Sequence, residues 1–288
     1  MDVIDGARAC AQPWAATVAT HACDVVAHRA VNRRYRYLRV RADAPLASVT
    51  QAGQFYQLVC PVSDLHRPFL PRPMSVYGVG PGAGEIEFLY NVTGEGTRAL
   101  AQLGVGARLS IVGPLGRPFT LDAGARRLLL VARGVGLATM APLVQRAVRA
   151  GIALTVVMSA RTPDDLMTAE FLRGAPADVH AVFDSDGSSA VANVDALLRA
   201  AIARDRPDAV YTCGSQRLLA LLQRVLADHP SMRGEVALEQ RMACGMGVCL
   251  SCVRMFDDGA TRAFRRVCRE GPVFAIRDVV TEVEVEVG

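Results

Sequence analysis

Four cysteines carry the clearest chemistry in the chain: Cys244, Cys249, Cys252 and Cys268. The first three lie in Met-Ala-Cys-Gly-Met-Gly-Val-Cys-Leu-Ser-Cys, residues 242–252, and the fourth follows after a gap of fifteen residues. C-x4-C-x2-C with a distant fourth cysteine is the spacing of a plant-type 2Fe–2S cluster, which passes one electron at a time. A short loop wraps a two-iron core only if its backbone bends sharply and turns N–H groups toward sulfur. Gly245 and Gly247 beside the first ligand tolerate the positive φ angles this needs, and N–H groups aimed at sulfur also tune the reduction potential. Further on, Asp257-Asp258-Gly259 between two apolar-rich runs reads as a hairpin turn that folds Cys268 back onto the loop. Zinc is the competing metal, but four-cysteine zinc sites usually take two pairs spaced C-x2–4-C. Here three ligands are bunched and one is distant.

Such a centre needs a donor, and the rest of the chain is long enough to hold one. With 288 residues there is room for two compact domains and a small appendage, and 51% hydrophobic against 21% charged residues marks a folded chain. The 32 basic and 28 acidic residues leave a net charge of +4 with no basic stripe, so no nucleic-acid partner is expected. No apolar run reaches the length of a membrane helix, and Met1-Asp-Val-Ile-Asp lacks the order of a signal peptide. The remaining cysteines (Cys10, Cys23, Cys60 and Cys213) show no disulfide framework, which suits a reducing cytoplasm.

The elements fall into blocks. Residues 1–20 are Ala-rich, hold the only tryptophan, Trp14, and read as an extension. Residues 21–120 carry short strand patterns at 23–28, 35–42, 54–60, 74–79, 85–91 and 108–112, with one helix at 96–103. That pattern predicts an antiparallel β-barrel or sandwich. From 121 to 233, apolar strands (127–132, 153–159, 180–184, 209–213) alternate with helices (139–150, 163–172, 194–203, 216–228). Alternation of this kind predicts a parallel α/β sheet of the nucleotide-binding type. Residues 234–288 form the cysteine segment. The fold class expected is thus multi-domain α+β: a flavin barrel, a nucleotide-binding sheet and a small C-terminal cluster domain. A flavin suits the middle of that order, because it accepts a hydride and releases single electrons.

Candidate cofactor residues follow the same order. In Arg72-Pro-Met-Ser75, Arg72 has the charge for a pyrophosphate and Ser75 a hydroxyl for a flavin ring edge, though Arg-Pro is also an ordinary strand start. Gly94-Glu-Gly-Thr-Arg98 opens a helix, where Gly96 and Thr97 serve either phosphates or a cap. Gly134 and Gly136 lie after the first strand of the second block, at the position of a dinucleotide loop. Cys213 ends a later strand, where a small thiol lies beside a nicotinamide or is simply buried before a turn. Asp186-Gly187-Ser188 is placed for a ribose or for a turn.

Taken together, these residues resemble the electron transfer subunit family of dihydroorotate dehydrogenase B, within the ferredoxin-reductase-like superfamily, over about residues 21–275. The most specific stretches are 239–252 and 266–274, followed by Arg72-Pro-Met-Ser75 and Gly96-Thr97. The resemblance implies an FAD contacted by Arg72, Pro73, Met74 and Ser75, by Leu89, Tyr90 and Asn91, and by Gly96 and Thr97. It implies Cys244, Cys249, Cys252 and Cys268 as ligands of the 2Fe–2S cluster. It further implies a separate FMN-containing (β/α)8-barrel catalytic subunit in a heterotetramer. In that assembly NADH reduces FAD, and the cluster carries electrons onward during pyrimidine biosynthesis. The chain departs from the family pattern on the nicotinamide side. The loop Gly-Gly-Gly-x-Gly-x-x-Pro is here Ala-Arg-Gly-Val-Gly-Leu-Ala-Thr at 132–139, Cys-Gly-Pro is Cys213-Gly214-Ser215, and Asp-Asp-Gly-Ser-x-Gly is Ser-Asp-Gly-Ser-Ser-Ala at 185–190. Arg133 either favours a phosphate or blocks the dinucleotide, and NAD(H) and NADP(H) both stay open. Two other functions fit the motifs: an electron-transfer subunit of a different redox enzyme with a degenerate NAD(P) site, and a cofactor-poor or zinc-binding assembly subunit.

Overall fold

The structure is a computed structural model and describes residues 18–166, 172 and 175–281. Trp14 and most of the expected N-terminal extension lie outside the described residues, as do residues 167–171 of the helix expected at 163–172. The start of that helix is a single 3-10 turn, Pro163–Asp165.

The first block is a closed six-stranded antiparallel barrel. Its strands are β1 (Ala19–Ala30), β2 (Tyr35–Ala42), β3 (Phe55–Leu58), β4 (Arg72–Val79), β5 (Glu85–Asn91) and β6 (Arg108–Leu115), in spatial order β1-β2-β5-β4-β3-β6. Inward side chains such as Val25, Leu38, Val40, Leu58, Ile86, Phe88 and Ile111 fill the interior, while Arg39 and Arg41 of β2 alternate outward. Closure comes from β1 pairing with β6 from Ala19↔Gly113 to Asp24↔Arg108, so β1 begins four residues before the strand pattern does. Two short helices decorate the barrel, α1 (Leu46–Val49) and α2 (Glu95–Ala101).

The second block is a six-stranded sheet in the order β14-β11-β10-β7-β8-β9. It uses β7 (Arg127–Arg133), β8 (Ala153–Ala160), β9 (Ala177–Phe183), β10 (Ala209–Cys213) and β11 (Arg233–Ala237), all parallel. The central strands are buried on both faces, as their unbroken apolar runs require. Helix α3 (Gly136–Arg149) covers one face, and α4 (Val191–Asp205) and α5 (Gln216–Ala227) the other. The cysteine segment leaves this sheet after β11, forms the hairpin β12 (Val253–Asp257) and β13 (Arg262–Arg266), and passes through the one-turn helix α6 (Val267–Glu270). It returns as β14 (Val273–Ala275), antiparallel to β11. The hairpin turn is the one read from Asp257-Asp258-Gly259: Asp258 Oδ1 accepts from the N–H groups of Ala260 and Thr261, and Gly259 has φ +83°. Among the described residues no helix is long and apolar enough to cross a membrane.

Two apolar seams fix the blocks against one another. Tyr35, Tyr77 and Leu89 of the barrel pack on Ala138 and Ala141 of α3. Phe55 and Leu115 share a core with Cys252, Phe256, Val267, Cys268 and Phe274 of the cysteine segment. The junction of all three parts is where the candidate site lies.

Candidate cofactor and electron-transfer site

A cavity of about 290 Å³ opens between the barrel, the start of α3 and the chain after β11. Its barrel wall contains Pro73, Met74 and Ser75 from β4, Leu89, Tyr90 and Asn91 from β5, and Thr97 from α2. Seven of the nine residues implied as flavin contacts are thus brought together around one cavity. The other two meet beside it. A Cβ on Gly96 would come within 2.6 Å of Arg72 Cζ, so glycine at this position lets the Arg72 guanidinium lie on the first turn of α2. That guanidinium donates to the carbonyls of Leu70 (2.5 Å) and Pro71 (3.3 Å). The Thr97 hydroxyl accepts from the N–H groups of Thr93 and Gly94 and donates to the Gly94 carbonyl, all at 3.0 Å. It therefore caps α2, which sharpens the choice between cap and phosphate ligand that the sequence leaves open. Tyr90 borders the cavity while its phenol is anchored in the barrel. The His28 Nδ1–H donates to Leu103 O (2.7 Å), which leaves Nε2 to accept from the Tyr90 hydroxyl (2.9 Å). Burial holds this imidazole below its usual pKa, consistent with a neutral ring in that role.

A second cavity of about 340 Å³ adjoins the first through Asn91, Val135 and Glu239. It lies at the carboxyl ends of β7 and β8, where open α/β sheets hold nucleotides. Gly134 (φ +55°) and Gly214 (φ +93°) line it. Three cations, Arg34, Arg133 and Arg161, face it together with Asp165 and Glu239. Two glycines make the loops interlock. A Cβ on Gly136 would stand 2.4 Å from the Cys213 carbonyl oxygen, and one on Gly214 would stand 2.2 Å from the Arg133 carbonyl oxygen. The absence of a side chain at Gly136 therefore lets the two loops pack closely.

Cys213 takes the buried one of the two placements its position at a strand end allows. Its thiol does not line the cavities; it is buried in the core formed with Leu137, Met140 and Tyr211, where desolvation drives its pKa far up despite a bond to the Thr139 hydroxyl. Every side chain of this five-residue strand is buried between the two helix layers. Thr139 stands at the wall of the first cavity and Gly214 at the wall of the second, with the thiol one layer behind. Arg133 does enter the nucleotide loop, but its guanidinium turns along the strand ends. It donates to Ser159 Oγ (2.6 Å) and to both carboxylate oxygens of Asp184 (3.1 and 2.5 Å). Asp186 and Ser188 hydrogen-bond to one another in a turn after β9.

The four cysteines meet two by two. Cys244 and Cys249 interact with each other, and the Cys268 N–H donates to Cys252 Sγ at 3.4 Å. The Met246 N–H donates to Cys244 Sγ at 3.4 Å. Hydrogen bonding from Ser251, then from Cys244, draws the Cys249 thiol down to about 6, while burial beside Cys252 pushes the Cys268 thiol up to about 12. Among the described residues no three metal-binding side chains converge on one ion position. Arg266 secures the loop by donating to the Gly247 carbonyl (3.1 Å) while paired with Glu270. On the barrel side, Gln57 Nε2 donates to the Ala243 carbonyl (3.2 Å).

Sequence reasoning missed two residues of this region. Gln57 is a buried polar residue of β3 beneath the cysteine loop, with Oε1 unpaired. Glu239 borders three cavities, the third being a pocket of about 200 Å³ with Ser215 and Gln216. It is solvent-accessible through those cavities, yet enough protein surrounds it to raise its carboxyl above the ordinary range. Its place just past the carboxyl end of β11 was the available signal.

Known proteins share this arrangement. Residues 239–280 match the model for the iron–sulfur cluster binding domain of dihydroorotate dehydrogenase B. The electron transfer subunit of dihydroorotate dehydrogenase B (NAD(+)) from Desulforamulus reducens is 32% identical over 241 residues, 83% of this chain and 91% of that one. Its counterpart from Enterococcus faecalis is 30% identical over 261 residues, 89% and 96% of the two chains. Among solved structures, the NADH-dependent reduced ferredoxin-NADP oxidoreductase superposes with a TM-score of 0.73 at 23% identity, covering 90% of this chain and 89% of that one. The ferredoxin reductase of carbazole 1,9a-dioxygenase does so with a TM-score of 0.62 at 22% identity, covering 75% and 69%. The barrel followed by an α/β sheet is therefore a ferredoxin-reductase-like fold.

Proposed function

Since the chain belongs to the family of dihydroorotate dehydrogenase B electron transfer subunits, we propose that it carries electrons from a nicotinamide nucleotide, through FAD and a 2Fe–2S cluster, to a separate catalytic subunit. One observation carries the reading. The segment 238–244 forms a wall of the first cavity with Leu238, Glu239, Gln240 and Met242, and two residues past Met242 it supplies Cys244. The flavin wall and the cysteine loop are thus one short stretch of backbone.

The residues present fit both groups. The thiols pair as Cys244/Cys249 and Cys252/Cys268, an arrangement that would suit the two irons of a two-iron core, and the N–H groups of Met246 and Cys268 point at sulfur. That pairing favours the cluster over a single zinc ion, which would need all four sulfurs at one point. Around the first cavity, Arg72 on the α2 turn supplies the charge for a pyrophosphate, and Ser75 and Asn91 supply polar edges for an isoalloxazine. A bound flavin accepts two electrons together and releases them singly. The chain itself needs no acid or base for this; Pro73, Met74 and Leu89 exclude water, and Thr139 and Val135 present the face on which a nicotinamide would stack.

The catalytic partner we assign is an FMN-containing (β/α)8 barrel, joined with this chain in a heterotetramer in the cytoplasm. Val248 and Leu250 on the cysteine loop and Leu65 and Phe69 after β3 leave large apolar side chains in solvent, the kind of surface a partner covers. Described cysteines that are all free thiols suit a reducing compartment. Replacing Cys249 by Ser tests the relay. Anaerobic bleaching of the flavin by excess NADH is expected to persist, while delivery to the co-purified catalytic subunit is lost. Undiminished delivery in Cys249→Ser would refute the relay.

A further inference from the structure

The Arg133 side chain lies where one half of a dinucleotide would go. It leaves the end of β7, passes over Ser159 at the end of β8, and closes on Asp184 just beyond β9. It thereby spans three consecutive parallel strands along their carboxyl edge, the crevice in which open α/β sheets bind nucleotides. The contact is bidentate, and Ser189 Oγ donates to the same carboxylate at 2.5 Å. Arg217 Nη2 stands 4.0 Å from Asp184 Oδ1. The guanidinium faces a carboxylate that is fully charged at neutral pH, held down to about 2 by Arg133 first and Ser189 second. Arg133 lines the cavity with Gly134 and Gly214, but its Nη donors are engaged by Ser159 and Asp184, and its side chain is only 21% exposed. The nicotinamide end near Val135 and Thr139 stays clear.

We propose that Arg133 and Asp184 form a latch across the adenosine half of the nucleotide cleft, so that Arg133 restricts dinucleotide binding instead of recognising a phosphate. This rests on the reading of the cleft as a nicotinamide site. A dinucleotide must break the bidentate pair before its adenosine half can seat, whereas a mononucleotide need not.

The sign of one substitution separates the two roles. Calorimetric titration of the flavin-loaded chain with ADP-ribose is expected to show about fivefold tighter binding for Arg133→Ala, because the latch no longer has to open. Asp184→Asn, which leaves Ser189 a partner and frees the guanidinium, is expected to tighten binding as well. Nicotinamide mononucleotide is expected to bind both variants and the wild-type chain alike. Unchanged or weaker ADP-ribose binding by Arg133→Ala would overturn the latch, as would an equal change in mononucleotide binding. Failure of the underlying nicotinamide reading looks different: the mononucleotide binds none of the proteins, and NADH leaves the flavin band of Arg133→Ala unbleached.

Discussion

Substituting Gly245 by Ala tests how the cysteine loop is held on the barrel. Gly245 has φ +71°, and a Cβ there would stand 2.6 Å from Gln57 Nε2 and 2.8 Å from Gln57 Cγ. Two costs add. Holding a non-glycine residue in the left-handed region costs about 1–2 kcal/mol. Pushing Gln57 aside breaks its bond to the Ala243 carbonyl, worth about 1 kcal/mol for a neutral pair. Gln57 is buried and its Oε1 already lacks a partner, so the displaced amide finds no replacement nearby. Gly259→Ala is an internal control. Its φ is +83°, but nothing lies within 4 Å of the position of its Cβ, so only the first cost applies. The assay is loss of visible circular dichroism from the iron-loaded chain under urea, with the iron-to-protein ratio measured alongside. Gly245→Ala is expected to be weaker than Gly259→Ala by about 1 kcal/mol. In a Gln57→Ala background, where the clash is gone, adding Gly245→Ala is expected to cost no more than Gly259→Ala does alone. Equal losses for the two single variants would show that the barrel does not brace the loop.

Two further outcomes concern the nucleotide cleft. Gly136→Ala places a methyl 2.4 Å from a backbone carbonyl that cannot swing away, so a loss of about 1–3 kcal/mol is expected in chemical denaturation; Gly124→Ala, with nothing within 4 Å, is expected to be near neutral. The Asp184 carboxyl is depressed in the folded chain to about 2, mainly by Arg133. Its stabilisation is therefore present above the ordinary carboxylate range and is lost as pH falls toward that value. Since Asp184 is 41% exposed, screening limits the pair to about 1 kcal/mol. The stability gap between wild type and Asp184→Asn is expected to stay constant from about pH 5 to 9 and to shrink below about pH 4; a gap that changes with pH near neutrality would place the titration elsewhere.

What was legible in the sequence was what repeats locally. The barrel strands showed because inward apolar residues such as Leu38 and Val40 alternate with outward arginines, and β7 and β10 showed because burial on both faces leaves unbroken apolar runs. The cluster motif was legible because its ligands sit at fixed spacing on one segment. Pairing partners far along the chain were not. Arg133 is visible as an intruder in a glycine loop, but Asp184 lies 51 residues on and Ser159 lies 26 on, and only the parallel register brings their strand ends side by side. β14 has three residues, too few for a period, and owes its existence to β11. Cys213 was legible as the end of a strand, but the direction of its side chain depends on helices packed on both faces of the sheet. Gln57 and Glu239 carry no motif; each matters because of what a distant segment places over it.

The route from inlet to outlet is set by how few residues separate the parts. Gly214, at the end of β10, lines the second cavity and the third; Glu239, one residue beyond Leu238, lines all three. From there Met242 still borders the flavin wall, and Ala243 is tied to Gln57 of the barrel strand that pairs with Pro73. Between the flavin wall and the cysteine loop every step is therefore a bonded neighbour or a direct hydrogen bond, and the nucleotide cleft joins them at the shared wall residue Glu239. A relay built this way has little freedom to adjust the spacing of its cofactors. Control must then act where a group can move without disturbing that spine, and the Arg133–Asp184 pair at the far edge of the sheet meets that condition: its release changes which nucleotide can enter while leaving the path from Glu239 to Cys244 in place.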